Sequence, residues 1–257
     1  MQIPLTFLES PAFQPYLFFM VFMRLGTMMM VFPAFSETAI SVRIRLLVAL
    51  AITIVMVPLV AGTYPPQPET IAGLFFLMGT EFAIGIFIAG AARLIMAALH
   101  TAGFTMGFQT SLAFAQNFDP TQGVQSALIS TFLSIVGITL IFTTDLHHLM
   151  IAAMRDSYFL FAPGAPLPVG DFAKMATATV AGAFKLAIQM SAPLIAFALI
   201  FNLGMGVLAK LMPQVQIFFV AMPANMLAGF IIISITLSAV MIWFIEHVEQ
   251  TIGLFTV

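Results

Sequence analysis

Cysteine is absent from the 257-residue sequence, which excludes disulfides, thiolate metal sites and cysteine nucleophiles together. Charge is nearly absent as well. Only 7% of residues are Asp, Glu, Lys or Arg, where a soluble domain carries roughly 25%. That is too little charge to coat a globule in water, so lipid or protein partners must cover the outside. The eight Lys and Arg residues are scattered, without the clustering that neutralises phosphates, so nucleic acid is not expected as a partner. No polar linker divides the chain. It reads as one membrane-embedded domain over residues 1–257.

Recognisable chemistry is missing in the same way. There is no Gly-rich phosphate loop with a following Lys-Ser/Thr, and neither His-Glu-x-x-His nor Gly-x-Ser-x-Gly occurs. The expectation is a protein that is not an enzyme and needs no cofactor. Met1-Gln2-Ile3-Pro4 shows no basic n-region, so insertion is expected to be driven by the first hydrophobic segments. Asp145-Leu146-His147-His148 comes nearest to a metal set. On a helix His147 and His148 would point about 100° apart, so a polar loop at a membrane boundary is expected there, with no metal. Glu246-His247-Val248-Glu249 reads as an exposed helix end.

What the chain has is hydrophobic length, with 61% of its residues hydrophobic. A hydrocarbon core about 30 Å thick needs about 20 apolar helical residues. Leu46 to Pro68, Pro120 to Thr144, Leu186 to Ala209 and Leu211 to Ile245 hold no charged residue. Tyr16 to Phe35 carries Arg24, and Ile71 to Leu99 carries Glu81 and Arg93. The ten-residue alternation of a membrane β-barrel is missing. The fold class is therefore an all-α membrane protein with about six long, Pro-broken hydrophobic helices arranged as helical hairpins. As one helix, Leu211 to Ile245 would be about 52 Å long. Pro193, Pro213 and Pro223 are expected to be kinks or turns, and Lys210-Leu211-Met212-Pro213-Gln214 to be a hairpin tip. Freed backbone groups at membrane depth need protein or water around them, which favours a multi-subunit or pore-lining setting. Basic residues divide four against two, with Arg43, Arg45, Arg93 and Lys210 on one side; this leans towards a cytoplasmic Lys210 hairpin.

Three features carry functional information. Arg24, Glu81, Arg93 and Lys185 lie inside apolar segments, where each unpaired charge is costly. Pairing across helices inside the fold, subunit contact and a transport path are the readings, and pairing is favoured. Glu81 and Arg93, about 18 Å apart along one helix, do not pair with each other. The stretch from Gly103 to Pro120 is polar and Gly-containing; an interhelical loop and a pore loop fit it equally. Gly103 and Gly107 make a GxxxG spacing, weakly specific on its own. Methionine is abundant, with 19 residues, five of them between Met20 and Met30. Core packing explains this more simply than a compliant seal around a moving chain.

The order of short motifs adds a resemblance. Arg24-Leu25-Gly26, Pro33-Ala34-Phe35, Arg43-Ile44-Arg45-Leu46, Glu81-Phe82-Ala83-Ile84-Gly85, Met106-Gly107-Phe108-Gln109, Asp119-Pro120 and Asp145-Leu146-His147 precede a stronger C-terminal series. That series is Ala192-Pro193, Asn202-Leu203-Gly204-Met205-Gly206, Met212-Pro213-Gln214-Val215-Gln216-Ile217-Phe218 and Met222-Pro223. Over essentially its whole length the chain resembles the FliR family of flagellar export-gate proteins and its injectisome counterparts in type III secretion. Lys210 departs from the arginine expected there and loses the planar fork. The resemblance implies a hetero-oligomeric gate with FliP-like and FliQ-like subunits around a protein-conducting channel, joined by FlhB-like and FlhA-like proteins. It places that gate in the bacterial inner membrane at the flagellar basal body, passing unfolded flagellar export substrates through the lipid bilayer. It implies a FliP-like part over about 1–176 and a FliQ-like hairpin over about 177–251. It also implies a pore plug drawn from Met106, Gly107, Phe108, Gln109, Phe114, Asn117, Phe118, Asp119 and Pro120. An injectisome gate subunit and an independent small-molecule transporter are the alternatives.

Overall fold

The structure, a computed structural model, describes residues 15–37, 40–112, 128–212 and 217–257. Among these residues there are seven α-helices and no strand. They are α1 (Pro15–Val31), α2 (Val42–Val60), α3 (Ile71–Gln109), α4 (Leu128–Thr143), α5 (Leu146–Leu160), α6 (Val169–Leu211) and α7 (Ile217–Gly253). A 3₁₀ turn, Ala61–Thr63, extends α2. Four helices are long and apolar enough to cross a membrane, or five if α4 and α5, bent by 72° between them, count as one span. The chain is an all-α membrane protein.

Local signals explain several boundaries. Pro15 opens α1, where its missing N–H costs nothing. Ser41 caps α2 by accepting a hydrogen bond from the Ile44 N–H at 3.4 Å. Thr70 does the same for the Gly73 N–H at 3.2 Å. Lys210 lies in the last turn of α6, where a cation favours the negative end of the helix dipole. Hydroxyls within the apolar helices bond backward to their own backbone, as Thr53 does to the Ala49 carbonyl and Ser191 to the Ala187 carbonyl. Such bonds satisfy the polar atom without a partner helix.

Some sequence expectations change. Helix α6 runs through Pro193 and α7 through Pro223, so neither proline makes a turn. Pro58 likewise sits inside α2. Helix α3 continues to Gln109, so the Gly103–Gln109 part of the supposed loop is helical. Buried Ala102 and Met106 hold those last turns in place. Asp145 adopts a left-handed conformation, φ 58°, and α5 starts directly after it, so His147 and His148 stand on a helix rather than in a loop.

Two compact units are present. One comprises Met1–Leu94, Ile141–Thr179 and Val248–Val257. Within it α1 packs on α2, and Tyr16, Leu17, Met20 and Leu77 form a buried apolar cluster. Met28 and Met29 are buried as well. The stacked rings of Phe87 and Phe172, 3.9 Å between centroids, join α3 to α6. The other unit comprises Ile95–Leu140 and Val180–His247. Its α3 and α4 segments meet at Gly103, where a Cβ would lie 2.7 Å from the Ser130 amide nitrogen. The imidazole of His100 sits beside that crossing, with Nδ1 3.1 Å from the Ser130 hydroxyl.

Candidate functional site

The polar centre of the first unit is built around Arg24. Helix α1 buries this side chain completely, and α3 buries Glu81 completely beside it. The guanidinium fork grips the carboxylate through Nε to Oε2 at 2.6 Å and Nη2 to Oε1 at 3.1 Å. Its Nη1 donates to the carbonyls of Ser157 at 2.9 Å and Phe161 at 3.0 Å. Those carbonyls lie at the C-terminal end of α5, where the dipole is negative, and the Ser157 carbonyl also accepts the Phe161 N–H at 2.9 Å. Arg24 therefore neutralises Glu81 and caps α5 at once. The Tyr158 ring lies 4.3 Å from the guanidinium carbon, within cation–π range. Tyr64 donates its hydroxyl to Glu81 Oε2 at 3.2 Å. Burial, followed by the neighbouring Tyr158 and Glu81, pushes the Tyr64 phenol up, keeping it a donor. A buried ion pair hydrogen-bonded in this way holds α1, α3 and α5 in one arrangement.

Arg93 instead reaches the Ser36 hydroxyl and is exposed. Lys185 and Lys210 are exposed on α6. The four intramembrane charges thus divide, with Arg24 and Glu81 brought together and Arg93 and Lys185 left at the surface.

In the second unit the end of α3 is fastened from α7. Asn225 is 6% exposed, and its amide donates to the Gln109 carbonyl at 3.0 Å and the Ser111 hydroxyl at 2.7 Å. The Gln109 carbonyl is among the last of α3 and has no helical partner among the described residues. Ser111 takes a left-handed conformation, φ 57°, and stops the helix. Of the plug candidates, Met106 and Gly107 are buried, Gln109 is half-buried and Phe108 is exposed. Phe114, Asn117, Phe118, Asp119 and Pro120 lie outside the described residues, as do Pro213 and Gln214 of the hairpin tip. Nothing in the sequence singled out Asn225; an amide in an apolar helix was the available signal.

The third feature is what the fold leaves uncovered. Only 11% of the most apolar stretch of α6 is buried. Phe184, Ile188, Leu199, Ile200, Leu203 and Leu211 are exposed along it. At 1.5 Å per residue the exposed apolar stretch from Phe184 to Leu211 is about 40 Å long, against a hydrocarbon thickness of about 30 Å. Apolar faces of that length need a covering other than lipid alone.

Comparison with known proteins gives this arrangement its family. Residues 16–251 match the model for bacterial export proteins, family 1. A flagellar biosynthetic protein FliR from Caulobacter vibrioides is 41% identical over 96% of this chain and 98% of its own length. The chain belongs to the FliR family. Membership rests on the whole chain rather than a local motif. FliR of Pectobacterium carotovorum is 31% identical over 86% of this chain and 84% of its own. FliR of Bacillus subtilis is 25% identical over 88% and 87%. The Arg24–Glu81 pair, the Asn225 fastening and the uncovered α6 face all fall inside the family match.

Proposed function

We propose that this FliR-family chain is a structural and gating subunit of the flagellar protein-export channel in the bacterial inner membrane. In this reading FliP-like and FliQ-like subunits cover the outer faces of its helices, and together they enclose the passage. FlhB-like and FlhA-like proteins join that core. The substrates are unfolded flagellar proteins. The C-terminal hairpin, roughly Thr177 to Thr251, takes the place of a FliQ-like subunit beside a FliP-like part. The observation that carries the reading is the apolar exterior of α6, too long for the hydrocarbon core and uncovered within the chain itself. A self-sufficient small-molecule transporter would bury such surface internally or match it to the bilayer thickness. The chain has no nucleotide-binding motif, so the driving energy comes from elsewhere.

The polar stretch from Met106 to Gln122 is read as the element that closes the passage, with its root fastened by Asn225. Shortening it between Gly107 and Gln116 in cells expressing the full complex should make the membrane leaky to small ions. Conductance measured across bilayers containing that complex checks this; an unchanged conductance counts against the plug. Deleting the gene should abolish motility. Retained motility with loss of delivery to host cells would point to an injectisome instead.

A further inference from the structure

We propose that Asp145, His147 and His148 form a binding site for one divalent cation of the zinc class, at the corner between α4 and α5. Helical spacing separates the Cβ directions of His147 and His148, but their side chains bring the two rings together. Asp145 takes a left-handed conformation, φ 58°, which a short polar side chain tolerates. Its Oδ1 lies 3.5 Å from His148 Nδ1. The rings of His147 and His148 are 4.1 Å apart between centroids. One ligand atom from each of the three residues lies within 4.8 Å of the others.

The donor chemistry selects the cation. Two imidazoles and a carboxylate suit Zn²⁺ and its transition-metal neighbours, whereas Ca²⁺ and Mg²⁺ prefer oxygen alone. Donors of a tetrahedral Zn²⁺ at about 2.0–2.2 Å would lie roughly 3.4 Å apart, so the donor atoms must draw together while the His147 and His148 rings swing apart to point at one ion. The side chains of Asp145 and His148 are 74% and 70% exposed and are free to rotate that far. His147 is the fixed member, with its ring 5.3 Å from that of Phe142, which meets Phe35 edge-on. Its Nδ1 is shut away from solvent without a hydrogen-bond partner among the described residues. Three protein ligands leave a fourth position for water.

The test uses the full chain in detergent, purified without a polyhistidine tag and titrated with Zn²⁺ against a chromogenic chelator. One Zn²⁺ per chain is expected, and Co²⁺ should give the visible absorption of a tetrahedral site. Loss of an outer-shell partner costs roughly 10–100-fold in metal affinity. Asp145→Asn and His148→Ala, which remove ligands, should each weaken binding at least about tenfold. Both positions are exposed, so helix content should be unchanged; His247→Ala, in α7 and outside the cluster, should bind as the parent does. The proposal is overturned if excess Zn²⁺ does not bind, or if Asp145→Asn retains the parent affinity. Equal weakening by His247→Ala would overturn it too. If His148→Ala loses helix content, Asp145→Asn decides alone.

Discussion

Glu81→Ala should remove most of the folded protein from the membrane fraction. The substitution leaves Arg24 fully buried, still bonded to the Ser157 and Phe161 carbonyls but without its counter-ion. Breaking one side of a buried pair costs about 3–5 kcal/mol. Folded proteins hold only about 5–15 kcal/mol in total, so this loss is a large share of the whole. Arg24→Ala should be similarly harmful, because α1 loses its link to α3 and α5 loses its cap. Arg24→Lys keeps the charge but cannot reproduce the paired Nε and Nη2 contacts, and should fall between. The informative variant is the double substitution Arg24→Met with Glu81→Leu. Replacing a buried ion pair by apolar residues of similar volume is often neutral or better, so accumulation should recover well above either single variant. Membrane abundance and the thermal midpoint in detergent read both effects. If the double variant folds yet motility stays lost, the pair serves assembly or passage as well as stability.

Gly103→Leu should be the most damaging glycine substitution in the second unit. A Cβ there would meet the Ser130 amide nitrogen at 2.7 Å and Ser130 Cβ at 3.0 Å. The obstacle is backbone, which cannot rotate aside as a side chain would. Overpacking typically costs about 1–3 kcal/mol, and a clash with backbone belongs at the upper end or beyond. The forced separation of α3 and α4 would also pull His100 away from Ser130. Gly79→Leu is the matching control on the same helix, because a Cβ there would meet nothing within 4 Å. A drop in thermal midpoint for Gly103→Leu and none for Gly79→Leu is the expected result. Equal behaviour of the two would show that close approach at Gly103 does not hold this unit together.

Much of the architecture was readable in the sequence because charge is so scarce. Apolar runs around α1, α2, α3 and α7 stand out where no charged residue interrupts them or only one or two do. Helix α5 and the first part of α6 were missed for the opposite reason. His147, His148, Arg155 and Asp156 make α5 look polar, and Asp171, Lys174 and Lys185 break the run in α6. At Pro193 and Pro223, where kinks or turns were expected, the turn alternative falls away because α6 and α7 run on through them, and long helices in apolar surroundings absorb the missing hydrogen bond. At the site, charge inside an apolar segment drew attention to Arg24 and Glu81, which the fold brings together. Their pairing could not be read, since 57 positions separate them and only the packing of α1 against α3 brings them together. Asn225 was invisible for the same reason, lying 116 positions from the carbonyl it holds. At Asp145 the obstacle was local: a left-handed residue opens α5 there and leaves its carboxylate 3.5 Å from His148 Nδ1.

Sister subunits are expected to cover the bare face of α6, and gentle extraction of the tagged chain from native membranes tests that most directly. Native mass measurement with identification of the bound chains should return a complex several times the mass of one chain, containing FliP-like and FliQ-like proteins. A monodisperse single chain that passes its substrate unaided would contradict it.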